Sequence, residues 1–167
     1  MRTLLIYLLP LFILNSCSSS KEQIKNESTS VEQENIIDFV VIKEGDNSGF
    51  TEFGKYAIAQ QSGMPIIWDS IYKNYMKKDP IPEIDFEKNE VYLVAMGEQN
   101  SGGYSIKVES VKETKKEVVI NIVSVKPGKE CMTTSVMTYP YQLFLIPKPN
   151  KSVRFNWIDR VIDCESE

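Results

Sequence analysis

Val91-Tyr92-Leu93-Val94-Ala95-Met96 decides the fold, because six consecutive apolar residues rich in β-branched and aromatic side chains read as a strand covered on both faces. Downstream, Tyr104-Ser105-Ile106-Lys107-Val108-Glu109 alternates apolar with polar, so one of its faces meets solvent. The charged stretch 112–116 reads as a hairpin loop, and Glu117-Val118-Val119-Ile120-Asn121-Ile122-Val123 as the returning strand. Tyr141-Gln142-Leu143-Phe144-Leu145-Ile146 follows Pro140 and stops at Pro147, and Val153 to Ile158 supplies the last strand.

Upstream, Ile36-Ile37-Asp38-Phe39-Val40-Val41-Ile42-Lys43 reads as one strand closed by the Gly45-Asp46-Asn47-Ser48-Gly49 turn cluster. A second strand candidate is centred on 55–60. Between them and the central strand the period changes: Ile67, Ile71 and Tyr75 are spaced by four, and Pro65 stands where a helix can begin. The spacing predicts one helix over 65–77, ended by Pro80 and Pro82. Its Trp68 and Tyr72 read as core residues. The sum is an α+β, mainly β domain: a twisted antiparallel sheet, or an open barrel or sandwich, of about seven strands with one packed helix.

The first sixteen residues are of another kind. Arg2 precedes the apolar run Leu4 to Leu14, which has the form of a signal peptide and is too short to span a bilayer stably. Leu14-Asn15-Ser16-Cys17 resembles a lipoprotein lipobox, which implies lipid on Cys17 and cleavage before it. Residues 18–35 hold two isolated aliphatics and no aromatic, and read as a disordered tether reaching on the order of 20–25 Å from the membrane. The expected organisation is a signal peptide at 1–16, lipidated Cys17 and tether at 17–35, and one globular domain at 36–164. The expected location is the cell envelope, lipid-anchored to a membrane at an outer-membrane, periplasmic or surface face.

Composition narrows the chemistry. With Lys plus Arg at 19 against Asp plus Glu at 23, the chain has no basic footprint for nucleic acid. It contains no histidine, which removes serine triads and His-based zinc sites. No metal or other cofactor is expected. Of the three cysteines, Cys17 is assigned to lipid, leaving Cys131 and Cys164 as a disulfide pair in an oxidising compartment, or as two thiols.

The loop Gly97-Glu98-Gln99-Asn100-Ser101-Gly102-Gly103-Tyr104 brings adjacent glycines into a strand, allowing positive φ and close backbone approach. Ser101-Gly102-Gly103-Tyr104-Ser105-Ile106, the Lys126-Pro127-Gly128 segment, and Thr138-Tyr139-Pro140-Tyr141 running to Ile146-Pro147-Lys148 together resemble the C-terminal domain of the PrcB protease-complex subunit family. Ile84-Asp85-Phe86 is similar to the segment leading into that family's first central strand. The resemblance spans roughly residues 84–148. It implies an exported, non-catalytic subunit that binds or stabilises another envelope or surface protein, such as a protease, rather than an enzyme. Cys131 and Met132 depart from its pattern.

The glycine pair also reads as a tight turn demanded by the sheet. The functional reading is a partner-binding groove at Asn100, Ser101, Gly102, Gly103, Tyr104, Tyr139, Pro140 and Tyr141, where Tyr and Pro offer contact area at little entropic cost. The alternative is a small-ligand or glycan-binding module of the envelope. Asp69, Asp85, Glu87 and Glu98 are scattered acids without a calcium loop, and Ser70-Ile71-Tyr72-Lys73 has a Ser-x-x-Lys spacing inside the helix. They read as solvated charges and helix surface.

Overall fold

A computed structural model describes residues 34–164. The signal peptide, Cys17 and the tether as far as residue 33 lie outside the described residues. The elements are β1 (Asn35–Ile37), β2 (Val40–Gly45), β3 (Phe53–Ile58), a 3₁₀ turn at Gln61–Gly63, α1 (Met64–Ile71), β4 (Asn89–Met96), β5 (Ser105–Glu113), β6 (Glu117–Pro127), β7 (Tyr141–Pro147) and β8 (Ser152–Ile162). They form two four-stranded sheets, ordered β1-β5-β6-β8 and β2-β7-β4-β3. These orders leave both sheets open, so no closed barrel forms; as expected, the fold is mainly β, a sandwich with one short helix against it.

Three layers result. Val91, Leu93 and Ala95 of β4 and Tyr141 and Leu143 of β7 face Met64, Trp68, Ile71 and Tyr72 from the helix. Tyr92, Val94 and Met96 point the other way with Phe144 and Ile146, onto Ile106, Val108, Val111, Val118, Ile120 and Ile122 of the first sheet. Strand β4 is thus covered on both sides, as its unbroken apolar run requires. Within β5 a bulge between Val108 and Ser110 resets the alternation, so Val111 faces the core like Val108 although they stand three positions apart.

Three expectations need correction. The stretch 36–43 is two strands in different sheets: β1 pairs with β5 and β2 with β7. The chain crosses at Asp38-Phe39, where Phe39 packs edge-on to Phe144 with ring centroids 6.4 Å apart. The helix stops at Ile71 rather than 77, because the carbonyl of Ser70 is taken by the N–H of Gly49 at 2.8 Å and Asn74 donates to the carbonyl of Ser48 at 2.6 Å. The sheets are not antiparallel throughout, for β8 returns from β7 to lie parallel to β6, in register from Glu117↔Ser152 to Pro127↔Ile162. Strand β1 begins at Asn35, and Glu34 before it pairs with Lys112 at 2.7 Å.

One buried polar residue joins the layers. Gln142 accepts the N–H of Val108 across the sandwich at 2.6 Å and donates to Glu44 at 2.6 Å. Because β1 covers only residues 111–113 of β5, this amide satisfies a backbone donor that no strand reaches.

Candidate functional site

The loop from β4 to β5 is seated on the segment that links β6 to β7. Gln99 and Thr138 exchange backbone hydrogen bonds of 2.8 and 2.9 Å, and the N–H of Gly102 donates to the carbonyl of Thr134 at 3.0 Å. The Thr138 hydroxyl donates to the carbonyl of Ser101 at 2.9 Å, and the Tyr139 hydroxyl to Glu98 at 3.0 Å. A third segment joins through the N–H of Tyr139, which donates to the carbonyl of Asp46, and the hydroxyl of Ser48, which donates to the carbonyl of Tyr139. The glycines make this seating possible: a Cβ on Gly102 would lie 2.5 Å from the Thr134 hydroxyl, and Gly103 has φ +86° against Pro127 and Thr133.

The eight proposed contact residues therefore come to one end of the sandwich, in different roles. Asn100 is exposed, and Tyr104 and Tyr139 are half-buried. The nearby Glu98 carboxylate, with some burial, pushes the Tyr139 hydroxyl above its usual range. Ser101 is half-buried with its carbonyl engaged, and Gly102 and Gly103 shape the turn. Pro140 is buried, and Tyr141 is 1% exposed, its ring in the helix-side core and its hydroxyl pushed up by burial and by Tyr75. Tyr104, Lys107, Pro140 and Tyr141 line an open concavity of about 580 Å³ with Glu44, Gly45 and Asp46. Tyr141 serves as its floor.

Cys131 and Cys164 form a disulfide with Cα atoms 4.8 Å apart. It ties the segment after β6 to the end of β8, beside Gly128, whose N–H donates to the carbonyl of Ile162 at 2.8 Å. Met132, Val136 and Met137 on this segment are exposed.

The scattered acids are used locally. Asp69 pairs with Lys78, and Asp85 accepts the N–H groups of Glu87 and Lys88, with the Lys88 ammonium holding its carboxyl below the usual range. The Ser70 hydroxyl donates back to the carbonyl of Ile66 at 3.0 Å. Trp68 and Tyr72 are buried, as read; the Trp68 indole donates to the carbonyl of Asp79 at 2.8 Å, and Tyr72 and Lys43 both bind the Asp79 carboxylate. Among the described residues no group of three or more acids or cysteines is placed to hold a metal ion.

Residues 91–147 match the PrcB C-terminal family. This segment belongs to that family. It covers about a third of the chain, running from β4 through the glycine loop, β5, β6 and Pro140 to the end of β7. The PrcB C-terminal segment thus supplies both doubly covered strands and the hairpin facing them, while β1, β2, β3, α1 and β8 are added around it. No curated protein matches the chain at a significant level, and no solved structure does.

One place escaped the sequence reading. Phe53 and Trp157 pack with centroids 4.7 Å apart and ring planes inclined at 57° where β3 and β8 meet, and the Lys55 ammonium lies 4.5 Å from the centre of the Phe155 ring. Phe53 and Trp157 lie on strands far apart in sequence with no shared motif, so only the tertiary fold brings them together.

Proposed function

We propose that this protein is an exported, lipid-anchored and non-catalytic subunit that binds or stabilises a partner protein of the cell envelope or surface, with a protease as the leading candidate. The observation that carries this reading is the PrcB C-terminal match over the strands that build the domain's centre. It is supported by the signal-peptide and lipobox pattern ending at Cys17 and by the absence of histidine. Tethered by Cys17, the domain would work close to a membrane, where two-dimensional confinement raises the effective concentration of any anchored neighbour. Affinity purification of the tagged chain from detergent-solubilised cells tests the reading: one protein recovered repeatedly and in fixed ratio supports it, and recovery of the chain alone overturns it. Radiolabelled palmitate incorporation, lost on Cys17→Ala, tests the anchor.

A small-ligand or glycan-binding role has one feature in its favour, the open concavity where Tyr104 stands beside Glu44, Asp46 and Lys107. An aromatic edge flanked by both charge signs suits a polar ring. A glycan array probed with the purified chain separates the two readings, since saturable binding abolished by Tyr104→Ala would favour this one.

A further inference from the structure

Both sheets end on the same side of the sandwich in unpaired strands. Strand β3 bonds only β4, and β8 bonds only β6. Among the described residues no backbone hydrogen bond reaches the outer edge of β3, whose six residues leave alternate N–H and C=O groups pointing away from the sheet. An unpaired edge of this kind is a template for another strand.

The ground beside it is largely aromatic and aliphatic, with one residue of each charge. A cleft of about 330 Å³ opens between the two edges, lined by Lys55, Tyr56, Ala57, Tyr92, Val153 and Phe155 and, at its rim on β4, by Glu90, which forms no ion pair with Lys55. Phe53 and Trp157 extend its wall and remain 57% and 36% exposed despite their mutual contact. By register with β4, Phe53, Lys55 and Ala57 share the face of Met96, Val94 and Tyr92, so they point into the space between the sheets. Lys55 makes no ion pair with the described residues, whereas eight other such pairs are formed. An inward-pointing lysine on an edge strand guards against indiscriminate pairing and selects for a carboxylate.

We propose that the free edge of β3 takes an extended segment of a partner polypeptide by strand addition, with apolar side chains at alternate positions entering the aromatic cleft and an acidic side chain facing Lys55. The strand comes from another protein. Residues 18–33 of this chain offer only Ile24 and Val31 as aliphatics, seven positions apart, so this stretch cannot alternate apolar side chains along an edge. A second copy's β3 would bring another Lys55 to the same short edge, like charge against like. Main-chain hydrogen bonds would supply affinity and the cleft selectivity, the division of labour usual in strand addition.

The inference rests on the subunit reading for the identity of its partner, and the two fail separately. The probe is a set of fluorescent peptides of about ten residues, all alternating Val, Ile or Phe with Ser or Thr, with a central inward Glu, a central Lys, or a central Pro. They are titrated by polarisation against the full-length protein in detergent. The Glu peptide is expected to bind roughly fivefold or more tightly than the Lys peptide, the Pro peptide not at all, and the preference to invert in the Lys55→Glu variant. Deuterium exchange is expected to slow along 53–58 on binding. Equal affinity for all three peptides, indifference to the charge at position 55, or protection elsewhere overturns the proposal. So does a wild-type dimer that Lys55→Glu or Phe53→Ser dissolves, since the edge would then serve a second copy. Lys55 is exposed, so its variant keeps the fold and carries the test even if Phe53→Ser unfolds. A partner recovered from cells in full by both variants overturns the edge and leaves the subunit reading standing; peptide binding with no cellular partner does the reverse.

Discussion

Gln142 makes the sharpest stability prediction, because among the described residues it is the one buried polar side chain that links the two sheets from within. It is 3% exposed, with its carbonyl on the N–H of Val108 and its amide on Glu44. In Gln142→Leu the volume is nearly kept, but the Val108 donor is stranded in a dry environment, which costs about 1–3 kcal/mol. Glu44 lies toward solvent and rehydrates at little cost, and the added apolar burial returns up to about 1 kcal/mol. The net expectation is a loss of about 1–2 kcal/mol, or roughly 3–8 °C in Tm, read by urea denaturation with tryptophan fluorescence. Gln142→Glu keeps the acceptor for Val108 but sets a second carboxylate against Glu44. The repulsion raises the folded-state pKa of the introduced acid, so its deficit is largest at neutral pH and shrinks as pH falls and a proton bridges the pair. A Gln142→Leu variant within about 0.5 kcal/mol of wild type, or a Gln142→Glu variant whose deficit ignores pH, would refute the bridging role.

Breaking the Cys131–Cys164 bond opens a loop set by a sequence separation of 33, worth about 3–4 kcal/mol in the chain-entropy model; thermal melts of Cys131→Ser with and without reductant should show a large drop that reductant no longer deepens. Gly103→Ala, at φ +86°, should cost about 1–2 kcal/mol by the same melts and more than Gly102→Ala, where the Thr134 side chain can turn aside. The Tyr72 hydroxyl and the Lys43 ammonium hold Asp79 below the usual carboxylate range. A depressed folded pKa stabilises above the unfolded value and is lost as pH falls through the folded one, so Asp79→Asn should be less stable at neutral pH. Its acid unfolding below about pH 4 should then be shallower than that of wild type.

The strands that repeat a simple pattern could be read directly. Val91 to Met96 announced a doubly covered strand, the alternation from Tyr104 to Glu109 a half-exposed one, and Pro140 and Pro147 the limits of β7. What stayed hidden depends on distant partners. No local signal splits Ile36 to Lys43 between two sheets, since its apolar residues suit either, and the division is made by pairing with β5 and β7. The parallel return of β8 beside β6 requires knowing that β7 lies in the other sheet. The helix end at Ile71 is set by the Gly49 N–H and Asn74, not by the prolines further on. At the candidate site the glycine pair was legible as a tight turn, while Tyr141 lies in the core because β7 turns it toward the helix. Gln142 looked like an ordinary polar residue in a strand, and burial alone gives it its role.

The central claim is that this domain holds another protein. Its most direct test is quantitative affinity purification of the full-length chain, carrying its own Cys17, from gently solubilised cells, with recovered proteins counted by mass spectrometry. The expected result is a single envelope or surface protein at near-equal amount, diminished by Lys55→Glu. A chain that emerges alone in repeated preparations, monomeric and folded, would contradict it.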